Sequence, residues 1–107
     1  LGEVFKTSMK SLNAIEETLK RHKRELKKRY RLKEMGIFGS YVRGENRKES
    51  DLDLLVEFEE GAKLSLLDLA GLEQELSDLL GINVDLVEKR CLKPHIGEQI
   101  LKETVYL

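Results

Sequence analysis

Residues 39–55 read GSYVRGENRKESDLDLL. An apolar run stops at Gly39-Ser40, a polar loop follows, and a second apolar run opens on Asp51 and Asp53. Asp is a poor strand former. Residues i and i+2 of a strand share a face, so both carboxylates point one way while Leu52 and Leu54 point into a core. Two carboxylates on one face repel each other and resist leaving water. That cost calls for a compensating charge.

The surrounding chain supplies the sheet. Residues 33–38, KEMGIF, read as a first strand and residues 51–58, DLDLLVEF, as a second. Upstream, residues 11–30 place Leu12, Ile15, Leu19, Leu26 and Tyr30 at helical spacing, with Ser11 as the cap. Downstream, residues 65–80 form an amphipathic helix with Leu66, Leu69, Leu72, Leu76 and Leu79 or Leu80 on its stripe, capped by Ser65 and stopped by Gly81. Residues 82–89, INVDLVEK, read as a third strand, and Pro94 opens a last helix. The order α-β-β-α-β-α predicts one α/β or α+β domain over residues 1–107, a sheet with helices packed on it.

In the third strand Ile82, Val84 and Leu86 alternate with Asn83, Asp85 and Val87. If this strand lies beside the second, Asp51, Asp53 and Asp85 converge on one face. Such a cluster is costly alone and favourable around Mg²⁺, a hard ion that takes oxygen ligands and keeps water or phosphate in its shell. Two such ions can clamp the attacking and leaving oxygens of a phosphoryl displacement. A D-x-D pair by itself is more often a solvated strand edge or a turn. The preceding turn changes the balance. Gly39 lets a backbone approach a ligand closely, and the following N–H groups with the Ser40 hydroxyl can receive an anion. Arg43 and Lys48, between turn and carboxylates, are candidates to reach a phosphate, against the plainer reading of solvated loop charges.

Gly39, Ser40, ten residues, Asp51, any residue, Asp53: this spacing resembles the G-S-x10-D-x-D signature of the DNA polymerase beta nucleotidyltransferase superfamily. The fuller string FGSYVRGENRKESDLDLLVEF is similar to the minimal nucleotidyltransferases of bacteria and archaea, and the resemblance runs through VDLVEK. It implies the nucleotidyltransferase fold, a small mixed sheet with helices on one side. It implies that Gly39 and Ser40 hold the β- and γ-phosphates of ATP and that Asp51 and Asp53 bind two magnesium ions. Asp85 would match the third carboxylate, as metal ligand or as general base; both roles stay open. Many minimal members are antitoxins paired with a HEPN-domain toxin RNase, and some transfer AMP to a tyrosine of that toxin.

Composition narrows the alternatives. Over 107 residues the net charge is −1, which gives no strong overall field for nucleic acid. No apolar run approaches the roughly 20 residues that span a bilayer. One cysteine, Cys91, excludes an internal disulfide and makes the cytoplasm the default expectation. Cys91 reads as a small apolar filler, His95 as a surface residue and Tyr41 as a packing residue beside the turn. The basic run at residues 20–33 reads as a solvated helix face, with attraction of RNA as the alternative. Three functions compete: AMP transfer to a protein hydroxyl, occlusion of a toxin without catalysis, and extension of RNA ends. The chain is too short for a separate acceptor domain, so the acceptor surface must come from a partner or a second copy.

Overall fold

Ser11 starts the first helix. Its hydroxyl accepts the Ala14 N–H at 3.1 Å, which satisfies one of the donors a helix start leaves open. The structure is a computed structural model that describes residues 11–47 and 50–107. Helix α1 spans Leu12–Tyr30 and buries Ile15, Leu19 and Leu26, with Leu12 and Tyr30 at the margin. It ends at Arg31, whose left-handed backbone turns its N–H back to the Lys27 carbonyl.

Four strands follow in chain order: β1 (Leu32–Phe38), β2 (Leu52–Phe58), β3 (Val84–Glu88) and β4 (Val105–Tyr106). They lie in the order β3-β2-β1-β4, with β1 antiparallel to β2 and β4, and β2 parallel to β3. The sheet is therefore mixed. A parallel pair needs a long crossover, and helix α3 (Leu66–Leu80) supplies it; a short helix α2 (Ser40–Arg43) sits between β1 and β2. A 3-10 turn (Lys89–Cys91) leads to helix α4 (Pro94–Glu103), which has its proline in the first turn, where a missing N–H costs nothing.

One face of the sheet makes the core. Met35, Ile37, Leu52, Leu54 and Val56 pack with Ile15, Leu19 and Leu26 of α1 and Leu72, Leu76 and Leu80 of α3. Ser65 caps α3 in a reciprocal box with Asp68: the Asp68 N–H donates to Ser65 Oγ at 3.2 Å and the Ser65 N–H to Asp68 Oδ2 at 2.9 Å. Gly81, at φ 71°, closes the helix.

Two expectations are corrected. Leu66 is 84% exposed and stands outside the α3 stripe. Burial deepens along the helix from Leu66 through half-buried Leu69 to buried Leu72, so the first turn projects beyond the core. Cys91 is an exposed free thiol on the 3-10 turn rather than an apolar filler. The chain also adds β4, a two-residue strand stitched to β1 by the pairs Gly36–Tyr106 and Ile37–Val105. Gly36 makes room for it: a β-carbon there would stand 2.4 Å from Thr104 Cγ2.

Candidate active site

The face of the sheet opposite α1 and α3 carries the acidic residues. In register, Asp53 faces Phe38 of β1 on one side and Asp85 of β3 on the other. Neighbouring strands are about 4.8 Å apart, so the two carboxylates leave adjacent backbones on one face. Asp51 precedes β2 by one residue and is exposed, as is Asp85 on the edge strand, while Asp53 is half-buried. Burial raises the Asp53 carboxyl above its ordinary range, and the charges of Asp85 and Asp51 push it further up; Arg43 opposes them. The structure thus brings the three predicted aspartates into one electrostatic cluster centred on Asp53.

Gly39 closes the other side. Its backbone, at φ 84° and ψ −152°, lies in a region open essentially to glycine alone. A β-carbon at this position would sit 2.1 Å from Asp53 Oδ2, so the turn rests directly on the carboxyl. The Gly39 carbonyl accepts the N–H groups of Val42 and Arg43, both at 3.1 Å, which starts α2 at Ser40. Tyr41 anchors α2 in the core, as expected of a packing residue; burial, then the charge of Asp51, raises its phenol. Ser50 belongs to the loop: its hydroxyl accepts the Arg47 N–H at 2.7 Å. Lys48 lies outside the described residues.

Arg43 is already engaged. Its Nε donates to Glu45 at 2.8 Å and its Nη1 to both Glu103 oxygens at 3.1 Å. Glu103 also accepts the Gly39 N–H, on Oε2 at 2.7 Å. Sequence reasoning missed Glu103, which closes α4. One signal was present: an acid in the last turn of a helix is at the end the helix dipole disfavours.

Among the described residues, no three His, Cys, Asp or Glu side chains stand close enough to enclose an ion by themselves. The donor chemistry still suits a hard cation that draws the rest of its shell from water and phosphate. The donors are all carboxylate oxygens, their charges reinforce one another at Asp53, and the face opens beside a glycine turn.

The nucleotidyltransferase domain family model matches residues 19–107, a span that holds both the turn and all three aspartates. The chain belongs to that family. The chain is 49% identical over 100 residues to the protein adenylyltransferase MntA of Thermococcus cleftensis, covering 94% of this chain and 99% of the relative. Among solved structures it is similar to a chain described as a minimal nucleotidyltransferase, with 44% identity, a TM-score of 0.70 and coverage of 87% and 95% of the two chains. It also resembles a chain of a toxin–antitoxin crystal structure with AMP-PNP, at 25% identity and a TM-score of 0.65, covering 80% of this chain and 69% of that one. The nucleotidyltransferase is therefore an enzyme by family, with the small mixed-sheet fold that its signature implied.

Proposed function

We propose that this protein transfers AMP from ATP to a hydroxyl of a partner protein, a tyrosine of a HEPN-domain toxin, and acts as its antitoxin. The observation that carries this reading is the registered pairing of Asp53 with Asp85, beside a glycine turn packed on Asp53. The likeness to a protein adenylyltransferase and to a chain of a toxin–antitoxin crystal structure with AMP-PNP supports the nucleotide, a protein acceptor and a toxin–antitoxin setting.

Position across the sheet supports the following division of roles. The β1 turn, with Gly39, Ser40 and Arg43, takes the β- and γ-phosphates. Asp53 at the centre and Asp51 at the mouth of β2 place the α-phosphate. Asp85, on the edge strand and open to solvent, faces the side from which a partner can present its hydroxyl. Asp51, Asp53 and Asp85 would hold the two Mg²⁺ ions, which supply charge neutralisation and a more acidic acceptor hydroxyl. The acceptor oxygen bonds to the α-phosphorus, the bond from that phosphorus to the bridging oxygen breaks, and pyrophosphate leaves. The hydroxyl proton passes to Asp85 or to solvent. Positioning and charge stabilisation account for most of the acceleration in such transfers.

Part of the basic helix's charge is balanced by acidic neighbours within the protein. Arg29 pairs with Glu75 at 2.6 Å, Arg29 also pairs with Glu25, and Lys20 meets Glu16 at 3.9 Å. The function is tested by the intact mass of a HEPN-domain toxin after incubation with this protein, ATP and Mg²⁺. AMP-sized increments on the toxin are expected. A toxin silenced with unchanged mass would favour occlusion without catalysis.

A further inference from the structure

We infer that Glu103 is a built-in competitor for the polyphosphate cradle, and that nucleotide binding requires its carboxylate to leave. The inference rests on the reading of Gly39 and Arg43 as phosphate-binding groups. Glu103 uses both of them at once: Oε2 accepts the Gly39 N–H at 2.7 Å, and both oxygens accept from Arg43 Nη1 at 3.1 Å. A carboxylate held by a backbone N–H and a guanidinium uses the same charge-assisted donors that a phosphate oxygen would take.

The fold delivers Glu103 to this point. It is the last residue of α4, and Thr104 packs onto Gly36 while β4 pairs along β1, so the segment is tied to the strand that ends in Gly39. The Leu107 N–H continues the tie, donating to the Met35 carbonyl at 3.0 Å. Glu103 also adds negative charge beside Asp53, a fourth carboxylate after Asp51, Asp53 and Asp85 on ground that a triphosphate would need. The Gly39 N–H and the Arg43 guanidinium are thus satisfied from within the chain. A ligand with several anionic oxygens can exchange for the carboxylate, and a weakly charged one cannot. The residue therefore sets both the affinity for nucleotide and the preference for triphosphate. An alternative role, in which Glu103 merely braces Gly39 and Arg43 for the phosphates, makes the opposite prediction.

The experiment is a titration of isotope-labelled wild type, Glu103→Gln and Glu103→Ala with Mg·ATP and with inorganic tripolyphosphate, followed through backbone amide resonances. Ala is included because a glutamine carbonyl can still accept the Gly39 N–H. Competition predicts that both ligands shift Gly39 and Ser40 and that the variants bind about 10-fold more tightly, the worth of one charged hydrogen bond. Unchanged or weaker binding by both variants, with Gly39 and Ser40 still responding in wild type, overturns the inference and leaves the phosphate site standing. If neither ligand perturbs Gly39 or Ser40 in any of the three proteins, the phosphate reading fails and the inference with it.

Discussion

At the scale of single residues the site is a trade of stability for chemistry. Asp53 is half-buried among like charges, which favours its neutral form and opposes folding at neutral pH. Replacing Asp53 with Asn should therefore leave the melting temperature unchanged or raise it. It should also cut AMP transfer by on the order of 10²-fold or more, read by a melt and a labelled-nucleotide assay on the same sample. Gly39 is constrained twice, by its backbone and by the Asp53 carboxyl behind it. Gly39→Ala should cost about 1–3 kcal/mol in denaturant unfolding and abolish nucleotide binding. Both positions were legible in the sequence because their meaning is local: a glycine-serine turn at fixed spacing from a D-x-D pair. Glu103 was not: the acid in the last turn of α4 is unusual by itself, but its partners Gly39 and Arg43 lie 64 and 60 positions away.

Among the elements, α1 and α3 were read from their periodicity, and the buried Ile15, Leu19, Leu26, Leu72 and Leu76 follow it. Leu66 departs because periodicity gives a face and not the extent of the surface beneath it. Leu72→Ala should cost about 2–5 kcal/mol by cavity formation, whereas Leu66→Ala should be nearly neutral, a contrast that thermal melts resolve. The two helices are tied by Glu75, which accepts the Tyr30 hydroxyl at 2.8 Å and pairs with Arg29. The Tyr30 hydrogen bond, then the one from Arg29, lowers the Glu75 carboxyl below its ordinary value of 4.5. Between the lowered folded value and 4.5 the unfolded chain binds more protons, so this stabilisation is complete above that window and is lost as pH falls through it. Glu75→Gln should be less stable than wild type at neutral pH, and the difference should shrink as pH falls below 4.5. Urea titrations across pH check both signs.

For the whole molecule, the sheet order β3-β2-β1-β4 lays the three segments of the candidate site side by side. The Gly39 turn ends β1, Asp51 and Asp53 stand at the start of β2, and Asp85 stands on the edge strand β3. Matching alternation left the adjacency of β2 and β3 open, and the structure supplies it as a parallel pair. The strand β4 was not anticipated, because two residues carry no period and its place depends on the bare backbone of Gly36. Among the described residues no helix is long and apolar enough to cross a membrane. The proposed function requires a divalent cation to gather Asp51, Asp53 and Asp85 opposite a polyphosphate held by the Gly39 turn. Paramagnetic broadening by Mn²⁺ in the presence of ATP tests that most directly. The resonances of Gly39, Ser40, Asp51, Asp53 and Asp85 should broaden together, and Asp53→Asn should remove the effect. Broadening centred elsewhere, or unchanged in that variant, would contradict the proposed function.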